Sequence, residues 1–195
     1  MTPALSRWTS FTPFTRLPFL RLGRDRRGVA AVEFALIAPV MVLLYLGGTE
    51  LTRVLSVDRK VSMAARVASD LVARQTNSVM SAAELTTALD GASAMLAPFG
   101  TGPLGLVVSS IVIDDKGKAT VSWSVSRNGK ARTKGTAVTL PAGIAVNSSS
   151  LIWAEASYAY PALFDLVIKS GTLDLSESSY MRPRNLSRVC YLVSC

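Results

Sequence analysis

Histidine is absent from all 195 residues. That absence removes the commonest general base, and with it Ser-His-Asp and Cys-His catalysis. It also removes imidazole metal ligation. Cysteine is nearly absent: Cys190 and Cys195, at the C-terminus, are the only two. A C-x₄-C pair without histidine or further cysteine suits a metal poorly. The chain is therefore expected to be non-enzymatic, with no cofactor and no metal. A dense basic stripe is lacking too. The net charge is +8, but residues 1–28 hold six Arg and one Asp, so +5 lies there and only +3 on residues 29–195. Nucleic-acid binding calls for clustered cations on one face of a domain, so no nucleic-acid partner is expected.

Charge is scarcest between Val29 and Gly48, where twenty residues carry one charged side chain, Glu33. A helix of that length rises about 30 Å, enough to cross the hydrocarbon core of a bilayer. Arg24, Arg26 and Arg27 stand immediately before it. Positive flanks tend to stay cytoplasmic, which places the N-terminus in the cytoplasm and the chain after about Gly48 outside. A secretory signal peptide fits less well: the basic region is too long, the apolar run exceeds an h-region, and no A-x-A site follows. The aromatics Trp8, Phe11, Phe14 and Phe19 alternate with Arg, so the leader is expected on the inner membrane surface.

Glu33 is the anomaly in this span. A carboxylate at mid-bilayer costs about 2.5–3.5 kcal/mol, and less near the interface. Two readings are open. One is a tolerated interfacial acid, favoured by the positive end of the helix dipole. The other is an acid that pairs with a cation on a neighbouring subunit. Pro39 removes a backbone donor inside the span and is expected to loosen the helix. Gly47 and Gly48 form a second soft point.

Basic residues, Gly28, four small or apolar residues, Glu33, the aromatic Phe34 and then a long apolar run resemble the class III signal of type IV pilins and pseudopilins. The longer string from Arg26 to Pro39 resembles the TadE/TadG branch, the pseudopilin-like proteins of tight-adherence (Flp) pilus assembly. The resemblance implies cleavage by a prepilin peptidase between Gly28 and Val29, which makes Glu33 the fifth mature residue. It implies an assembly role for Glu33, in which the acid of one subunit meets the new α-amine of another. It further implies a minor, single-pass subunit of the bacterial inner membrane. Its C-terminal domain would be periplasmic, its partners other pilus-assembly subunits, and its purpose the support of adhesion and biofilm formation. The major fibre subunit of such systems is far shorter than 195 residues. The Tyr180-Met181-Arg182-Pro183-Arg184 segment also resembles endings in this family. A rival reading is a signal-anchored periplasmic binding module that never polymerises.

The rest of the chain reads as α+β. The helix is expected to continue over 49–74, with Val54, Val57, Val61, Ala65, Ala68 and Leu71 or Val72 on the apolar face. Glu50, Arg53, Asp58, Arg59, Lys60, Arg66, Asp70 and Arg74 supply the polar face. After a break at 75–78, Ser81 and Glu84 have capping-box spacing for a second helix ending near residue 97. Four strands of an antiparallel sheet are expected over 106–113, 119–126, 150–160 and 173–181. In the second of these, Val121, Trp123 and Val125 should share one face. A short strand is also expected near 136–140, and Lys130, Arg132 and Lys134 are read as solvated. The domain reading is a basic leader (1–28), a transmembrane and amphipathic helix (29–75) and an extracytoplasmic domain (76–195). Outside the cytoplasm Cys190 and Cys195 are expected to close a small disulfide loop. That loop should order the tail after Pro183 without being needed for the sheet.

Overall fold

The computed structural model describes residues 27–162, 171–192 and 195. The leader over 1–26 and most of the connection expected over 161–169 lie outside the described residues. In chain order the elements are α1 (Arg27–Ala73), β1 (Val79–Met80), α2 (Ala82–Ala94), β2 (Leu104–Ile113), β3 (Ala119–Arg127), β4 (Ser149–Pro161), β5 (Thr172–Met181) and β6 (Cys190–Tyr191). The fold is α+β: a long N-terminal helix, a second helix and a four-stranded antiparallel sheet of order β3-β2-β4-β5. The chain divides after Leu44 into two compact units, so α1 contributes to both.

In the second unit, α1 buries Val57, Val61, Ala64, Ala65, Ala68 and Val72, all at 0–1% exposure. Their three- and four-residue steps keep them on one helix face. Leu71 stays 37% exposed, so Val72 takes the inward position. Leu85, Leu89 and Ala92 of α2 join this cluster, as do Leu106 and Val108 of β2 and Ile152, Ala154 and Ala156 of β4. Ser81 caps α2 through a reciprocal capping box, with its N–H donating to the Glu84 carboxylate at 2.8 Å. α2 ends at Ala94, earlier than expected. Leu96 N–H then bonds Ser93 O and Ala97 N–H bonds Ala94 O, tightening the last turn into i+3 bonds.

β3 departs from its expected alternation. Ser110 of β2 pairs with Trp123, but the next residue, Ile111, pairs with Val121, leaving Ser122 as an extra residue. A bulge shifts the period-two phase by one. Trp123 and Val125 therefore pack with the main core, whereas Val121 and Ala119 join Ile111, Ile113 and Leu151 in a second cluster. Val138, Leu140 and Ile144 cover that second cluster. The strand expected near 136–140 is a single bridge, Thr120 to Ala137. Gly135, at φ +80°, turns the chain into it.

The C-terminal tail is docked on the core. β6 pairs in parallel with β1. Trp123 Nε1–H donates to Val189 O at 2.7 Å, and Ser150 Oγ–H to Ser187 O at 2.7 Å. At the end of α1, Arg184 N–H donates to Ala73 O at 3.0 Å and Asn185 Nδ2–H to Arg74 O at 3.1 Å. These bonds satisfy carbonyls that the helix terminus leaves without partners. Val189 is 1% exposed, so the tail contributes to the core as well as following the sheet.

Candidate functional site: the apolar helix segment

From Val29 to Gly48 nearly every side chain is apolar, a composition that suits a helix in a nonpolar medium. α1 adopts helix through all of it, Pro39 included. Every large apolar side chain assigned as exposed here, from Val29 at 56% to Phe34 at 72%, has more than half its surface bare, and Leu43, at 51%, has the least. Contiguous apolar exposure on this scale marks a membrane or protein contact. α1 is long and apolar enough to cross a membrane, as a single-pass protein requires.

Gly28 and Val29 lie in the first turn of α1, which starts at Arg27. N–H groups in a first turn have no intrahelical acceptors, so little holds this turn closed. Among the described residues, a side chain at Gly28 would meet nothing within 4 Å. Glu33 is exposed, and its neighbours one turn away, Val29, Ala30, Leu36 and Ile37, are all apolar. Gly28, Val29 and Glu33 thus share the first two turns of one helix.

Cys190 and Cys195 lie in the other unit, bonded as a disulfide with Cα atoms 4.6 Å apart. Among the described residues, no group of three His, Cys, Asp or Glu is placed to hold a metal.

Three polar contacts were not foreseen. Glu50, assigned to the polar face, is only 2% exposed. It stands seven residues before Val57, on the buried stripe, and that spacing was the available signal. The Tyr160 hydroxyl donates to its carboxylate. Burial pushes the Tyr160 phenol up, the Glu50 hydrogen bond and charge push it further, and Arg53 opposes them. Asp70 binds both Arg74, at 2.5 Å, and Arg184, at 2.6 Å, tying the tail to α1. Arg132, read as solvated, lies 3.6 Å over the Trp153 ring and binds Glu155 through both terminal guanidinium nitrogens. Trp153 in turn stacks on Tyr180, with ring centroids 5.3 Å apart. Loop cations separated by a single residue look alike in sequence, and only the folded loop brings one of them onto an aromatic ring.

No curated protein and no solved structure matches the chain. Residues 28–70 match the family model for TadE-like protein. The exposed apolar run with its lone acid, and the buried helix face that follows it, are the part of this chain that the TadE-like model matches.

Proposed function

We propose that this protein is a minor, pseudopilin-like subunit of a tight-adherence (Tad/Flp) pilus assembly machine, anchored in the bacterial inner membrane. It supports pilus biogenesis, and through it adhesion and biofilm formation, without an enzymatic activity of its own. One observation carries the reading: the TadE-like match begins at Gly28 and covers the exposed apolar helix in which Glu33 is the lone acid. In this reading the leader stays cytoplasmic, held by Arg24, Arg26 and Arg27, and residues after about Gly48 are periplasmic. A prepilin peptidase cuts between Gly28 and Val29. The new α-amine of Val29 and the Glu33 carboxylate of another subunit then pair, because leaving either charge unpaired in a nonpolar setting is costly. The other pilus-assembly subunits are its partners.

Intact-mass measurement of the membrane-extracted protein tests the cleavage. A mature chain starting at Val29, and a full-length chain for Gly28→Leu, are expected; a start elsewhere overturns the reading. Glu33→Ala should give stable, processed protein in cells without pili. Normal piliation in that strain would remove Glu33 from assembly.

A further inference from the structure

The two edges of the sheet are treated differently. β3, at one edge, is covered by the following loop. Val121 N–H donates to Thr136 O at 3.0 Å, Gly135 N–H to Val121 O at 2.7 Å and Val138 N–H to Ala119 O at 3.0 Å. Arg132 N–H donates to Ser124 Oγ at 3.0 Å. β5, at the other edge, pairs with β4 over ten residues without a bulge. Among the described residues, no further strand pairs with β5. It contains no Pro and no Lys, and its charged residues are Asp174 and Glu177. A long, regular edge is a template for an incoming strand.

The residue order says which strand fits. Leu173, Leu175 and Met181 pack toward the main core. An antiparallel partner must set core-facing residues opposite core-facing residues, which restricts the register. A second β5, related by a two-fold axis at Ser178, meets that condition. Leu175 then stands opposite Met181, Ser176 opposite Tyr180, Glu177 opposite Ser179, and Asp174 opposite Arg182, each pair occurring twice. The neighbouring registers are worse. An axis at Glu177 sets that acid against itself, one at Ser176 sets it against Leu175, and one at Ser179 sets it against Met181. Asp174 and Arg182 are both exposed. The Arg182 bond to Ile144 O is 3.4 Å, long for an N–H···O bond, so the guanidinium is lightly held.

We propose that β5 is the interface between two copies of this chain, paired antiparallel about Ser178, with Asp174 of each copy on Arg182 of the other. The sheet then runs unbroken through the dimer, and the contact is isologous. This interface needs only a second copy and does not depend on the pilus reading.

A cysteine on the axis tests the register in the full-length chain, in membranes and in detergent. Cys190 and Cys195 already hold each other, so a single added thiol reports alone. Directly opposed residues lie about 4.5–5.5 Å apart at Cα, within reach of a disulfide. Mild oxidation of Ser178→Cys should convert the chain to a covalent dimer, while Ser176→Cys, off the axis, should stay monomeric. Asp174→Arg or Arg182→Asp alone should halve the particle mass in detergent, and the two together should restore it. Equal cross-linking at both positions, or a double variant no more dimeric than the single ones, would overturn the proposal. So would a native chain that is monomeric at every concentration, or one that holds a different protein on β5.

Discussion

α1 is one helix with two kinds of surface. In its first part, Val29, Phe34, Leu36 and Val40 leave more than half their surface bare. In its second, Val57, Val61, Ala68 and Val72 leave none. The first part carries one charged side chain in twenty residues, and the second carries eight over 49–74. The apolar side chains are also distributed differently: on every side in the first, along one stripe in the second. Residue size differs as well. The buried stripe is built from valine and alanine, whereas the exposed part also carries Leu, Ile, Met and Phe. A helix apolar all round suits a membrane or a fully buried site, and a striped one suits a domain surface.

Substitutions can break this contrast, beginning with the largest expected effect. Val40→Arg puts a charge near the middle of the apolar run. Insertion scales set its cost at about 2.5–3.5 kcal/mol, so the protein should shift from the membrane to the soluble or aggregated fraction on carbonate extraction. The second substitution sharpens the comparison by making one change in both halves. Ala64→Leu overpacks a fully buried position and should cost about 1–3 kcal/mol, read as a lower thermal midpoint in detergent. Ala35→Leu, on the exposed part, should leave that midpoint unchanged. If both behave alike, the two surfaces are not what they are described to be.

A third substitution asks whether the tail belongs to the buried half. Trp123→Phe removes the indole N–H and leaves Val189 O, in a buried setting, without its donor. Destabilisation of about 1–3 kcal/mol is expected. A merely appended tail would give none.

The smallest effect is at the start of α2. Ser81→Ala should cost about 1 kcal/mol through loss of the cap. The Ser81 backbone N–H, followed by its hydroxyl, holds the Glu84 carboxyl below its ordinary value. A depressed folded-state pKa gives stability that is present above the unfolded value, near 4.5. That stability is lost as pH falls through the lower, folded value. Ser81→Ala keeps the backbone N–H and removes only the hydroxyl, so it should flatten the decline in melting temperature below about pH 4.5 in part. The tyrosines act in the opposite direction. Burial raises Tyr158, Tyr160 and Tyr180 above 10.0, so their contribution holds below that pH and fades as pH climbs past it.

The long helix, the capping box and the four sheet strands were legible because each rests on neighbours in sequence. The apolar run is a count of side chains, the cap a three-residue spacing, and the strands are β-branched segments between turns. β1 and β6 were not legible, since two residues cannot show a period. Ser122 was not legible as a bulge either. Its serine fits a clean alternation, and only pairing with β2 reveals the extra residue. Of the candidate residues, Gly28, Val29 and Glu33 could be picked out because their meaning lies in their order along one helix. Glu50 was misassigned because a charge was taken to outweigh its place on the buried stripe. A hydroxyl from β4, more than a hundred residues away, makes that burial tolerable.

Sequence alone determined where this protein is apolar enough for a membrane, where its second helix begins and which segments form the four-stranded sheet. Those properties follow from local sterics, short-range hydrogen bonds and side-chain periodicity. Tertiary structure decided the strand order, the bulge that splits the sheet's apolar residues into two clusters, and the docking of the tail. Among the described residues it also decided that β3 is covered by the following loop while no further strand pairs with β5. Each of these depends on which distant segments meet, and segments of similar composition can pair in several ways until burial and backbone hydrogen bonding select one.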